Sequence, residues 1–173
     1  MRSFIVKRTG KMLIRNPFVW LRRILHRRGY GIHSPFAYSL VTQVLYTPGE
    51  YYADERLYPC RERLMHPRRT AVHRLMFRLA NHWQPTVVSA PAELHPYLHE
   101  GCRRAQLQAC PEPLVTFDGG QGRMVALVDL QHHREAWRRL KDEPQVTVTF
   151  DLYDVGLAIC NPKLQHHDYI INW

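Results

Sequence analysis

The sequence predicts an α/β protein: a mostly parallel sheet entered through a basic helical segment and followed by an antiparallel meander. Three observations predict it. Two cap-proline helix starts fall in the first 49 residues, short β-branched runs alternate with helical patterns over 86–141, and apolar and polar residues alternate from Val146 onward. The 173 residues suit one compact unit, organised as a basic helical extension over 1–69 and an α/β domain over 70–173.

Asn16-Pro17 pairs a capping residue with a proline at the first helical position. Phe18, Leu21, Ile24 and Leu25 follow at helical spacing, with Arg22, Arg23, His26 and Arg27 on the other side, as far as Gly29. Ser34-Pro35 repeats the start signal. The helix after it carries Phe36, Leu40 and Val44 on one stripe with Ala37, Val41 and Leu45 beside it, and Thr47-Pro48-Gly49 stops it. Residues 50–69, rich in Tyr, Arg and Pro, read as an irregular surface connection. Thr70 then caps an amphipathic helix that turns Val72, Leu75, Met76, Leu79 and Trp83 inward and Arg74 and Arg78 outward.

Past Pro85 the period changes. Thr86-Val87-Val88, Leu114–Phe117 and Met124–Val128 read as strands, the last apolar enough to be buried on both faces. Ala92–Cys110 lies between the first two and is helical at least to Gly101, and Gln131–Lys141 is a further helix. Val146, Val148, Phe150 and Leu152 alternate with Thr147, Thr149, Asp151 and Tyr153, which predicts a half-buried strand. Leu157–Cys160 and the alternating Tyr169, Ile171 and Trp173 complete the meander.

Composition narrows the function classes. No apolar run approaches the roughly 20 residues that span a bilayer, and the N-terminus lacks an apolar signal region. The expected location is cytoplasmic, with the inner membrane face as a peripheral one. Cys60, Cys102, Cys110 and Cys160 are far apart and read as thiols, not as a disulfide frame or zinc site. Residues 1–49 hold no acid, and Arg2, Lys7, Arg8, Lys11, Arg15, Arg22, Arg23, Arg27 and Arg28 account for the whole formal charge of +9. Such a one-sign block attracts a polyanion, either anionic lipid or nucleic acid, through Arg15, Arg22, Arg23, Arg27 and Arg28. The plain alternative is a helix that packs on its own domain with a solvated basic side. Tyr51, Tyr52 and Tyr58 can stack on bases, but they lack the ordered alternation of an RNA-recognition motif.

Asp129-x-x-His132-His133 is the constellation richest in chemistry. A carboxylate and imidazoles at the mouth of a parallel sheet can hold a divalent ion, and Asp129 with His132 can take a proton from a substrate hydroxyl. The chain has 11 histidines, so adjacent ones also arise by chance, and His166-His167 is a second pair. His33-Ser34-Pro35 reads either as a cap and its neighbours or as part of a ligand site.

Two stretches carry a family resemblance. Gly29-Tyr30-Gly31-Ile32-His33-Ser34-Pro35-Phe36 resembles the Gly-x-His-Ser-Pro-Phe opening of a group of class I S-adenosylmethionine-dependent methyltransferase-like proteins. Trp137–Leu140 with Val146–Gly156 resembles that group's last helix and sixth strand, Tyr169-Ile170-Ile171 its terminal strand, and Leu75–Asn81 the helix before its first strand. The resemblance implies a reduced Rossmann-like sheet with a reversed last strand, behind the N-terminal helical extension.

It also marks two departures. The group's glycine-rich cofactor turn corresponds to Val88-Ser89-Ala90-Pro91-Ala92-Glu93, with no glycine between Gly49 and Gly101. The span from Val88 to Met124 is little more than one βαβ unit of about 30 residues, so a unit is missing or shortened. Ser89, Glu93, Glu112 and Asp118 are what remains of a cofactor set, with Glu112 (or, less well placed, Glu100) at the ribose position and Asp118 after the fourth strand. Leu130 breaks the acidic pair that Asp129 would begin. The resemblance thus implies a degenerate, non-catalytic interaction module without cofactor, or an active O- or N-methyltransferase if S-adenosylmethionine still fits. An exposed sheet edge left by the lost unit calls for a homodimer or a partner chain to cover it.

Overall fold

The computed structural model describes residues 23, 31–47, 52–53, 57, 67–110 and 122–173. The first basic helix apart from Arg23, the strand expected over Leu114–Phe117, and residues Arg15, Arg22, Arg27, Arg28, Tyr51, Tyr58, Cys60, Glu112 and Asp118 lie outside them.

Ser34 caps helix α1, Pro35–Leu40, its Oγ accepting from the Ala37 amide at 3.4 Å, and Pro35 sits in the first turn. The helix widens into a π-helical turn over Val41–Leu45 and buries Ala37, Leu40, Val41, Val44 and Leu45. Its end is tied to the C-terminal segment: the Trp173 indole donates to the Leu45 carbonyl at 3.0 Å and the Tyr46 hydroxyl to that of Asn172. Helix α2, Pro67–Trp83, starts at a proline and carries Thr70 inside it, buried, rather than as a cap. Arg78 is not outward. It is buried and donates from Nη1 to the Thr47 carbonyl at 2.7 Å, which joins α2 to the end of the π-helical turn.

The strands are β1 Val87–Ala90, β2 Gln106–Ala109, β3 Arg123–Val128, β4 Val148–Asp151, β5 Val155–Cys160 and β6 His167–Ile170, in the order β2-β1-β3-β5-β4-β6. Helix α3, His95–Gly101, links β1 to β2 after a short 3-10 turn at Ala92–Leu94, and helix α4, Arg134–Lys141, follows β3. The last residue of α3 is glycine because a Cβ there would meet the Phe77 carbonyl at 2.4 Å, so the end of the helix lies directly on α2. The chain then extends. Gln106–Ala109 pairs in parallel with β1 instead of continuing a helical pattern, its strand state set by the neighbour and not by residues that lack β-branching.

The closing meander is corrected. Strands β4 and β5 form an antiparallel pair, but β6 runs parallel to β4 at the edge, with Phe150 opposite Tyr169. The reversed strand is therefore β5, not the last one, inserted antiparallel between β3 and β4. Val155–Cys160 is apolar on both faces and needs neighbours on both sides, whereas β6 buries only Tyr169 and suits an edge. Strand β4 is also buried throughout, not half-buried as its alternation predicted.

Two cores result. The larger joins α1 and its π-helical turn, α2 and α3 to one sheet face, with Met124, Ala126, Phe150 and Leu157 in it. Residues 35–45 thus share a core with the sheet. The smaller lies under α4, where Val125, Leu127, Ala158 and Cys160 meet Trp137 and Leu140. Among the described residues no helix is long and apolar enough to cross a membrane.

Candidate functional site

Open α/β sheets present ligand sites at the carboxyl ends of their parallel strands, where the strand order reverses. Here that point lies between β1 and β3. The backbone leaving β1 turns at Pro91, which has no N–H to offer a ligand, and closes on itself. The Leu94 amide donates to the Pro91 carbonyl at 2.9 Å, and the Ala90 carbonyl receives the Cys110 amide at 3.1 Å with His95 Nε2 at 3.0 Å. Ser89 is buried within β1, paired across to Gln108 and Val125. Glu93 is exposed on the short turn, 3.9 Å from Arg69.

At the end of β3 the chain turns through Asp129, whose φ of +54° is a left-handed value that aspartate tolerates better than most residues. The turn brings His132 Nδ1 to 2.6 Å from Asp129 Oδ1, at the surface. A carboxylate on one ring nitrogen orients the imidazole and leaves Nε2 as a base. His133 precedes α4, where its carbonyl accepts from the Trp137 amide. Among the described residues no three His, Cys, Asp or Glu gather to hold a metal ion, so the expected triad of Asp129, His132 and His133 is not assembled. His166 and His167 stand at the start of β6, beside Val146 and Val148, the opposite end of the sheet.

A dense polar cluster that the sequence pattern did not single out lies at the β4–β5 turn. Asp151 Oδ1 accepts from Arg23 Nη2 at 2.8 Å and from the Tyr153 amide at 2.9 Å, and Oδ2 accepts from Arg134 Nη1 at 2.6 Å. Burial alone would raise this carboxyl's pKa, but the hydrogen bonds from Arg134 and Arg23 outweigh it and hold it below the ordinary range. Arg23 also donates to the Asp151 carbonyl at 3.2 Å and lies over the Tyr153 ring. Asp154 receives Arg68 Nε at 2.7 Å, and Arg68 stacks over Trp173. Arg23 was expected to face a polyanion. It instead faces inward and its anion is Asp151, both side chains about one-tenth exposed. A signal existed in the sequence: Asp151 and Asp154 flank a tyrosine in a turn of a strongly basic chain.

The remaining candidates separate. His33 is exposed, Ser34 caps α1 and reaches the Tyr169 phenol, and Pro35 opens the helix, so the motif fastens α1 to β6. Tyr52 is exposed and packs edge-on to Phe77. The chain matches no protein-family model, no curated protein and no solved structure.

Proposed function

We propose that the chain is a methyltransferase-like, reduced Rossmann-type scaffold that does not seat S-adenosylmethionine and serves as an interaction module. The turn after β1 carries this reading. A cofactor turn needs free backbone donors and room at the strand end, whereas here Pro91 removes a donor and the Leu94 and His95 amides are spent on the Pro91 and Ala92 carbonyls. The interaction surface in this reading is the outer edge of β6, the last strand of the sheet among the described residues, where Ile170 is 47 % exposed. A second copy or a partner strand would pair there. Calorimetric titration with S-adenosylmethionine and S-adenosylhomocysteine is expected to give no saturable heat at micromolar ligand. Saturable binding would overturn the reading.

A second reading has its own observation. The Asp129–His132 pair stands at the carboxyl end of β3, beside the reversal of strand order, with the geometry of an oriented base. In an active O- or N-methyltransferase His132 would take the proton of the methyl acceptor. The same titration separates the two, because this reading requires the cofactor to bind.

A further inference from the structure

The polar side of β4 does not face water. Thr149 and Asp151 point under α4, 1 % and 7 % exposed, and floor a cavity of about 240 Å³ between that helix and strands β4 and β6. Helix α4 is seated by Trp137, which rests on Gly156 so closely that a Cβ there would come within 2.7 Å of the indole Cζ3. With Trp137 and Leu140 held inward, helical spacing carries Arg134, Arg138 and Lys141 around the rim of the cavity.

The two acids at the cavity are already engaged. Asp151 is held by Arg134 and Arg23, and Asp168 by Lys141 Nζ at 2.6 Å and by Thr149 Oγ1 at 2.5 Å. Burial would raise the pKa of Asp168, but its hydrogen bonds to Lys141 and Thr149 lower it on balance, so both acids stay ionised near neutrality. Arg138 is left without an acid among the described residues. Among the described residues three cations that line the cavity, Arg134, Arg138 and Lys141, and a fourth behind Asp151, Arg23, thus stand against two carboxylates, an excess of two positive charges.

From this we infer that the α4 cavity binds a compact dianion, a phosphomonoester. A planar guanidinium matches phosphate oxygens in a two-point contact, and Lys141 and Arg134 can share the remaining oxygens without leaving their acids. The volume falls short of the roughly 300–1,000 Å³ typical of sites for larger small molecules, so the group recognised is a phosphate on a small body. That phosphate belongs either to a soluble metabolite or to a lipid headgroup. The inference is independent of any cofactor site at β1, which lies across the sheet beyond β3 and β5.

The test uses the whole chain with two probes, glycerol 3-phosphate in solution and vesicles containing phosphatidate, each followed by calorimetry at low and at physiological salt. Saturable binding of either probe that weakens with salt is expected, and which probe binds identifies the source. Arg138→Glu, at an exposed and unpaired position, is expected to lower the affinity at least about tenfold with thermal stability unchanged, and Lys141→Gln to lower it less. Arg139→Glu, on the outer side of α4 where Arg139 pairs with Glu135, is the control and is expected to bind as the parent does. No saturable binding of either probe up to about 10 mM overturns the inference. So does Arg138→Glu binding like the parent, or an equal loss in Arg139→Glu, which would mark diffuse charge attraction.

Discussion

Replacing Asp151 with asparagine removes one charge and leaves two arginines facing it. The carboxylate is 10 % exposed and receives both guanidinium groups and the Tyr153 amide. Breaking one side of a buried ion pair costs about 3–5 kcal/mol, because the remaining charge stays desolvated. Two features place this case at the lower end. The amide oxygen still accepts one hydrogen bond, and Arg134, 33 % exposed, can turn to water. About 3 kcal/mol follows, which in a chain of this length lowers the melting temperature by roughly 6–12 °C.

The pH dependence has a definite sign. The folded-state pKa of Asp151 lies below the ordinary value, so on acidification the unfolded chain takes up this proton first. The stabilisation is complete above the unfolded pKa of about 3.9 and disappears as pH falls through the lower folded value. Urea unfolding of the parent and of Asp151→Asn should therefore differ by about 3 kcal/mol at pH 7 and by clearly less near pH 3. A difference under about 1 kcal/mol at pH 7, or one that does not narrow in acid, would refute the assignment of this cluster as the clasp between Arg23, β4 and α4.

Three other outcomes are expected. Gly156→Ala should destabilise by roughly 1–3 kcal/mol, since the new methyl would have to displace the Trp137 ring and Leu130; an unchanged denaturation midpoint would contradict that packing. The His73 imidazole, stacked on Tyr97 at 4.1 Å, has its pKa pulled down to about 4 by burial and by the nearby Arg69 charge, so stability should decline as pH falls from 6.5 toward 4. A His73→Gln variant should lose that part of the slope, and a titration of the His73 ring by NMR with a midpoint near 6.5 would exclude the buried environment. Burial pushes the Cys160 thiol up to about 12, against a smaller opposing pull from Arg123, so Cys160 should resist a disulfide reagent at pH 8 until urea unfolds the protein. Labelling at the same rate with and without urea would exclude it.

The parts of the fold that could be read from the sequence are those whose signal is local. Ser34-Pro35 specifies a cap and a first turn in two residues, and the uninterrupted Met124–Val128 run needs only its apolarity to be placed between two covered faces. The parts that could not be read depend on neighbours. Gln106–Ala109 is a strand because β1 offers a parallel ladder, and no residue in it states that preference. Reversal of β5 in place of the last strand follows from which strand needs two partners, a comparison between segments that no single window makes.

The candidate site divides along the same line. Asp129 and His132 are three apart, and a single turn of chain brings them together, so spacing was enough to find them. His133 was equally close in sequence, yet it is the residue before α4, and among the described residues no three ligands gather with the geometry of a metal site. Asp151 lay hidden for a deeper reason. Alternation in β4 marks Thr149 and Asp151 as polar, and polarity is satisfied either by water or by buried partners. Which of these holds depends on what crosses that face, and here it is a helix whose inward residues are Trp137 and Leu140 and whose flanks are arginines and a lysine. A polar strand face beneath a cationic helix has to be neutralised from within, by Asp151 and Asp168, or from outside by a bound anion. With two charges left over among the described residues after the internal pairs are made, the second route remains open at Arg138.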